Sequence, residues 1–289
     1  MDLASNRVLI FGINSFTGKY LSSYLSSKGY SIFGTTKESC DITNKDDITK
    51  TLKEINPNYI INLSAIASPA HGDVLEFYRV NSIGAINILE VLIDLNLNPK
   101  KVILSSSATV YGNQGVEILD ESLCPHPANY YGTSKYSMES IAKNYFNRLN
   151  IIITRPFNYT GVGQNQNFLI PKIVNHFKKR KESIGLGNLD VTREFNDIGF
   201  ICEVYNRLLN STIKSETINI CSGRGVKLLD IIDIMNSIAG YNIKVEINPA
   251  FVRKDEIKSL TGSSKKLFSL IGEVKQKGFK ETLKDMFEA

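Results

Sequence analysis

Apolar positions in the first two thirds of the chain come in short blocks instead of alternating singly with polar ones. Arg7-Val8-Leu9-Ile10-Phe11, Tyr59-Ile60-Ile61-Asn62-Leu63-Ser64-Ala65, Lys101-Val102-Ile103-Leu104-Ser105 and Asn150-Ile151-Ile152-Ile153-Thr154 are nearly unbroken runs of this kind. Such runs predict strands covered on both faces, as in a parallel sheet. Residues 31–35 predict a further strand. Between these blocks, 19–28, 46–56, 76–95 and 131–148 carry helical periodicity, and Pro57 ends the second of them. Strand and helix recurring at short intervals predict an α/β fold with a doubly wound parallel sheet of the Rossmann kind. Beyond residue 160 the pattern loosens. There, 168–181 and 227–239 suggest helices and 217–221 a strand, and the shorter elements 265–270 and 279–287 close the pattern. The expected organisation is a sheet domain over 1–160 and a smaller C-terminal α/β lobe over 161–289, interleaved with the sheet.

The first strand runs into Gly12-Ile13-Asn14-Ser15-Phe16-Thr17-Gly18 and then a helix. Strand, glycine turn and helix in that order open a dinucleotide-binding fold, whose helix N-terminus receives the pyrophosphate. The spacing is G-x-x-S-x-x-G, so Ser15 stands where a glycine is common and the turn must tolerate a small side chain there. After the second strand the chain reads Gly34-Thr35-Thr36-Lys37, without the acidic residue that usually holds an NAD ribose. Lys37 suits a 2′-phosphate, which favours NADP(H) over NAD(H); the plainer reading is an exposed loop lysine. Asp41 and Ile42 are placed to border the adenine. Leu63, Ser64 and Ala65 end a strand in small residues, where a cofactor can pass close to the backbone.

Tyr131-Gly132-Thr133-Ser134-Lys135 is the stretch with the most chemistry. On a helix the four-residue spacing puts the Tyr131 phenol and the Lys135 ammonium on one face. A phenol with a pKa of about 10 needs a fixed cation nearby to relay protons at neutral pH, and Lys135 is the expected cation. Upstream, Ser105-Ser106-Ser107 empties a buried strand into a hydroxyl-rich turn, where a serine can hold an oxygen on which charge develops. Serine, tyrosine and lysine together suit hydride chemistry at a carbonyl. Farther on, Arg155-Pro156-Phe157-Asn158-Tyr159-Thr160-Gly161 is a polar turn at the end of a strand, where open α/β sheets bind ligands.

Composition narrows the alternatives. The net charge of +5 is mild and its lysines are interleaved with acids, so a solvated surface is favoured over nucleic-acid binding. Cys40, Cys124, Cys202 and Cys221 are far apart with only 3 histidines, an arrangement that argues against a metal site or a disulfide framework and fits a reducing cytoplasm. The chain reaches a core-like strand by Val8 without a signal-peptide series. No apolar run reaches the roughly 18 residues of a membrane span.

Together the glycine turn, Ser105-Ser106-Ser107-Ala108-Thr109-Val110-Tyr111-Gly112, Tyr131 to Lys135 and Arg155-Pro156-Phe157-Asn158 resemble the extended short-chain dehydrogenase/reductase family of nucleotide-sugar epimerases, dehydratases and reductases. Three later segments, the turn 155–164, Gly187-Asn188-Leu189-Asp190-Val191-Thr192-Arg193-Glu194-Phe195-Asn196-Asp197-Ile198 and Asn219-Ile220-Cys221-Ser222-Gly223-Arg224-Gly225-Val226, look most like its GDP-4-keto-6-deoxy-D-mannose reductases, which form GDP-D-rhamnose or GDP-6-deoxy-talose. The resemblance implies a catalytic set of Ser107, Tyr131 and Lys135. It implies a cofactor set of Gly12, Ser15, Phe16, Thr17 and Gly18 at the pyrophosphate, Lys37 at the 2′-phosphate, and Leu63, Ser64, Ala65 and Asn81 along the cofactor. Asn158, Arg193 and Arg253 would meet the diphosphate of a nucleotide-sugar substrate. It further implies a homodimer joined through helices 76–95 and 131–148, and a place in deoxysugar biosynthesis for surface polysaccharide such as lipopolysaccharide. After Asp197-Ile198 the family pattern Arg-Asp is replaced by Gly199-Phe200. The rival readings are a UDP-hexose 4-epimerase holding NAD tightly, a 4,6-dehydratase, disfavoured because Ala108 and Thr109 stand where its carboxylate would be, and a non-catalytic cofactor-binding regulator.

Overall fold

Each apolar block becomes a strand because both of its faces are covered. The computed structural model describes residues 6–67, 72–252 and 256–289. Its strands β1 (Arg7–Phe11), β2 (Ser31–Thr35), β3 (Tyr59–Asn62), β4 (Lys101–Ser105), β5 (Ile151–Pro156) and β6 (Glu216–Ile220) run parallel in the order β6-β5-β4-β3-β1-β2. The flanking helices are α1 (Phe16–Ser27), α2 (Lys45–Ile55), α3 (74–94), α4 (Tyr130–Ala142) and α5 (Ile198–Asn210). Val8, Ile10, Ile61, Ile103, Ile152 and Ile218 pack on α1 and α5. Their neighbours Leu9, Phe11, Ile60, Val102, Leu104, Ile151 and Ile153 pack on α2, α3 and α4. Successive side chains point to opposite faces, and with helices on both sides neither set can be polar. The chain goes from β1 to β2 on one side and returns to β3 on the other, so the carboxyl ends of β1 and β3 form the switch point where such sheets bind ligands.

Helix α3 departs from the simple helix that the periodicity predicts. It is α-helical over Val74–Glu76, π-helical over Phe77–Gly84 and α-helical again over Ala85–Asp94. The wider turn brings consecutive residues onto one partner: Asn81 Nδ2 donates to Ser134 Oγ at 3.1 Å and Ser82 Oγ donates to the Ser134 carbonyl at 2.7 Å. Ser134 lies between Tyr131 and Lys135, so this widened stretch seats the helix that carries both.

The C-terminal lobe has its own apolar core, in which Ile170, Phe177, Ile231, Met235 and Leu283 bring together helices Leu169–Lys178, Leu228–Ala239 and Phe279–Glu288. Its strands are short and were not legible as strands: Ser183–Leu186 pairs with Lys244–Ile247, and Thr192–Glu194 lies between Gly225–Lys227 and Ser259–Gly262. Buried Glu194 ties this lobe together, accepting from the Ser222 backbone N–H, Ser222 Oγ at 3.0 Å, Gly223 N at 3.3 Å and Gly262 N at 3.1 Å. The lobe interleaves with the sheet, since α5 and β6 return to it and Leu267 of helix Lys265–Ile271 joins its core. The Gly199-Phe200 departure falls at the start of α5, where Asp197 Oδ1 accepts from Gly199 N at 2.8 Å and Phe200 is buried. The position thus serves a helix cap and a core contact.

Candidate active site

The glycine turn closes on itself before it meets any ligand. Gly12 and Ile13 both donate to the Thr35 carbonyl, at 3.0 and 3.1 Å. Gly12 has φ +80°, and a Cβ there would lie 2.9 Å from Ser64 N, so only glycine brings β1 this close to the end of β3. At Gly18 a Cβ would lie 2.6 Å from the Gly12 and Ile13 carbonyl oxygens. Ser15 needs no such freedom: its φ is −64°, and its hydroxyl accepts from Gly18 N at 3.0 Å as the N-cap of α1. The serine therefore replaces a glycine at no backbone cost and secures the helix whose N-terminal dipole faces the turn.

Beside this turn opens a cleft of about 230 Å³. Gly12, Ser15, Lys37, Asp41, Ile42, Leu63, Ser64 and Ala65 all line it, and with them stand Asn14, Cys40, Thr43, Ile66, Glu76, Arg79 and Val80. Most of this second group comes from α3 and from residues next to expected ones; no motif in the sequence marks them. Phe16 and Thr17 lie in the first turn of α1 and meet Tyr159, the neighbour of Tyr131. Phe16 stacks on Tyr159 with ring centroids 6.4 Å apart, and Thr17 Oγ1 shares a 2.7 Å hydrogen bond with Tyr159 Oη. Asn81 stands behind the cleft wall, with Oδ1 accepting from Ile66 N at 2.9 Å and Nδ2 reaching Ser134. It shapes the wall and links it to α4.

Tyr131 stands in the first turn of α4, which Asn129 caps by accepting from Gly132 N at 2.9 Å. The Ser107 hydroxyl is the side chain that neighbours the Tyr131 phenol and favours its ionised form. Ser107 is held in turn by Thr109, whose N–H and hydroxyl donate to Ser107 Oγ at 3.2 and 2.9 Å. Burial pushes the phenol up to about 12; Ser107 opposes that rise and the neighbouring Tyr159 adds to it. Lys135 is 4% exposed and donates Nζ to the Ser105 carbonyl at 2.7 Å. Burial brings its amine down to about 8, against the pull of Glu139. The expected lowering of the Tyr131 pKa by Lys135 is not among the influences that set it; burial dominates both groups. Ser107, Tyr131 and Lys135 are thus assembled at the ends of β4 and α4, with the phenol fully protonated at neutral pH.

One turn beyond Lys135, Glu139 anchors the helix. Its carboxylate accepts from Ser106 Oγ at 2.5 Å, from Arg155 Nε at 3.0 Å and from Arg155 Nη2 at 2.6 Å. Arg155 Nη1 donates to Tyr111 Oη at 3.0 Å, and Tyr111 Oη donates to Asn219 Oδ1 at 2.8 Å. Arg155 therefore belongs to the frame and not to the cleft surface. Asn158 lies just past it, its carbonyl accepting from Asn196 N at 2.8 Å. Arg193 Nη2 pairs with Glu256 at 2.5 Å, and its Nη1 donates to the Thr192 and Lys258 carbonyls at 2.9 and 3.2 Å. Arg253 lies outside the described residues.

The parts in place are a helix N-terminus behind a tight glycine turn, a cleft at the sheet's switch point, and a half-buried serine and tyrosine with a buried lysine beyond the end of β4 and on α4. Together they define a nucleotide-dependent enzyme of the short-chain dehydrogenase kind. Comparison with known proteins agrees: residues 8–221 match the NAD dependent epimerase/dehydratase family, to which the chain belongs. The chain accordingly takes a pyridine-nucleotide cofactor. The chain is 37% identical over 268 residues to the GDP-6-deoxy-D-talose 4-dehydrogenase of Aggregatibacter actinomycetemcomitans, a match covering 92% of this chain and 91% of that one. It is 26% identical over 281 residues to the GDP-6-deoxy-D-mannose reductase of Pseudomonas aeruginosa, covering 93% and 91%. A solved structure from Burkholderia cenocepacia superposes with a TM-score of 0.91 at 38% identity, over 98% of this chain and 97% of that one. RMD from Pseudomonas aeruginosa, complexed with NADPH, superposes with a TM-score of 0.89 at 24% identity, over 100% and 98%, and shares the fold.

Removing the helix anchor should be costly. Glu139→Ala leaves the 2% exposed Arg155 guanidinium without its counter-ion, and the expected loss of stability is about 3–5 kcal/mol. Urea unfolding measures it; an unchanged midpoint would show that the pair does not anchor α4.

Proposed function

We propose that this protein is an NADPH-dependent ketoreductase that reduces the C4 carbonyl of a nucleotide-linked 4-keto-6-deoxyhexose, with GDP-4-keto-6-deoxy-D-mannose as substrate and GDP-D-rhamnose or GDP-6-deoxy-talose as product. The observation that carries the reading is Tyr131 set beside Ser107, with Lys135 one turn away, in a chain similar along most of its length to an enzyme named for oxidation at C4 of GDP-6-deoxy-talose. Oxidation and reduction at that carbon are one reaction run in two directions.

The glycine turn, the cleft and the α1 N-terminus fit a dinucleotide, and the nicotinamide supplies the hydride when bound. The residues supply everything else. Ser107, steadied by Thr109, holds the carbonyl oxygen. Tyr131 gives its proton to that oxygen as C4 gains hydride, so the product is a neutral hydroxyl. Lys135, released from the Ser105 carbonyl, binds the nicotinamide ribose and supports the tyrosinate left behind. Ala108 is buried and the Thr109 hydroxyl is committed to Ser107, so neither position offers the carboxylate that a dehydratase uses for proton removal. Asn158, Arg193 and Arg253 remain our assignment for the substrate diphosphate. Leu75, Ile83, Tyr130 and Ile141 are exposed on α3 and α4, the helices through which a homodimer would form.

The test is NADPH oxidation with GDP-4-keto-6-deoxy-D-mannose, followed by absorbance, with NMR of the product. Stoichiometric consumption supports the reductase and the C4 proton couplings tell the two products apart. A purified protein that carries tight NAD and interconverts UDP-hexoses without consuming NADPH would establish the epimerase instead.

Tyr131→Phe removes the proton donor and keeps the ring, so turnover should fall about 10²–10⁴-fold with cofactor affinity retained; undiminished turnover would sink the assignment. The pH profile gives a second check. Tyr131, raised to about 12, stays protonated across the working range. Lys135 loses its charge as pH rises through about 8, so kcat/KM should fall on the alkaline side near that value. The linked stability effect has the opposite sign: between about 8 and the usual 10.5 the unfolded chain holds the Lys135 proton more tightly than the fold does, so this group makes the fold more stable as pH rises. A kcat/KM that stays flat from pH 7 to 10 would contradict the lysine's role.

A further inference from the structure

The cleft wall facing Lys37 is built by α3, and it carries a second cation. Arg79 and Glu76 line the cleft together with Lys37 and Asp41. Three contacts fix this wall against the loop that follows β2. Gly84 leaves room for Ile42, whose Cδ1 would lie 2.7 Å from any Cβ at that position. Asn87 Nδ2 donates to the Ile42 carbonyl at 3.1 Å, and Lys45 Nζ meets the Glu90 carboxylate at 2.6 Å. Helix and loop therefore face each other at a set distance across the adenosine end of the cleft.

Both cations line the cleft and bear on the Asp41 carboxylate. Burial pushes the Asp41 carboxyl up, but the Thr43 N–H and hydroxyl, bonded at 2.9 and 2.8 Å, and then the charges of Lys37 and Arg79, hold it below its ordinary value. Glu76 Oε1 meets Arg79 Nη2 at 2.7 Å, and the arginine side chain is 56% exposed. One carboxylate occupies only part of a guanidinium that offers five N–H donors.

We propose that Arg79 is the second arm of a clamp for the adenosine 2′-phosphate, closing from α3 while Lys37 closes from the loop, with Glu76 as the counter-ion that orients the guanidinium. The inference rests on the NADPH reading and adds a specificity residue that the sequence motifs did not mark. The ligand class is a dinucleotide whose adenosine ribose bears a phosphate monoester. A planar guanidinium fork matches two of that group's oxygens at once, whereas Lys37 offers a point charge. The plain alternative is a surface i,i+3 pair between Glu76 and Arg79, which contributes little to anything; it predicts no difference between cofactors.

The experiment is calorimetric binding of NADPH and of NADH to the wild type, Lys37→Gln and Arg79→Gln. Arg79→Gln should weaken NADPH about tenfold and NADH less than about twofold, since a charged hydrogen-bonding contact is lost to one ligand only. Arg79 is exposed, so the variant should fold; circular dichroism checks this. Equal loss for both ligands, or no loss for either, overturns the role given to Arg79 while leaving the NADPH reading intact if the wild type still prefers NADPH. A wild type that binds both ligands equally overturns that reading and this inference with it.

Discussion

The geometry of the site depends on one buried carboxylate. Glu139 takes hydrogen bonds from Ser106 at the end of β4 and from Arg155 near the end of β5, and through Arg155 it reaches Tyr111 and Asn219, so four segments meet at a single side chain. In free energy such a pair gains little, because the desolvation of both ions offsets their attraction. In geometry it is demanding, since the guanidinium fork accepts a carboxylate in few arrangements. Tyr131, Lys135 and Glu139 recur at four-residue steps on α4, so fixing the rotation of the helix at Glu139 fixes where phenol and ammonium point. A small rotation of α4 would separate Tyr131 from Ser107 before it disturbed the apolar core.

The cofactor side is governed by how closely two strands can approach. Gly12 and Gly18 leave no room for side chains, and the nearest atoms are backbone, which cannot yield. Ser15 meets no such restriction and supplies a cap. This explains why the departure from a glycine triplet is harmless here: the middle position of the turn needs a small residue with ordinary φ, and a hydroxyl at that place satisfies one of the N–H groups that a helix start leaves unpaired.

Much of this was legible because it depends on local pattern. Apolar runs marked strands covered on two faces, the glycine turn marked the switch point, and the four-residue spacing of Tyr131 and Lys135 marked a shared helix face. What escaped depends on distant chain or on backbone form. A π-helical turn has no apolar period of its own, so α3 read as an ordinary helix; Asn81 was placed along the cofactor, whereas its side chain sits behind the wall, and Arg79 in the same stretch was passed over. The lobe's strands, Thr192–Glu194 and Ser259–Gly262 among them, are too short to show alternation and owe their pairing to partners far away in sequence. Glu139 gave no signal at all, since an acidic residue on a helix reads as solvated until its arginine is located.

The same desolvation bears on the reduction proposed above, and the steps that follow are those of that proposal. An exposed tyrosine beside a lysine would be poised to lose its proton. Here desolvation opposes charge on both, holding the phenol protonated and drawing the ammonium onto the Ser105 carbonyl. A protonated donor beside Ser107 suits an oxygen about to become negative, because the proton moves only when that charge appears. The uphill part of the step, a tyrosinate in a dry site, is then met by Lys135, which is one helical turn away and has only a backbone carbonyl to leave. Burial thus keeps the acid loaded, and a short-range cation relieves the cost once the proton has gone.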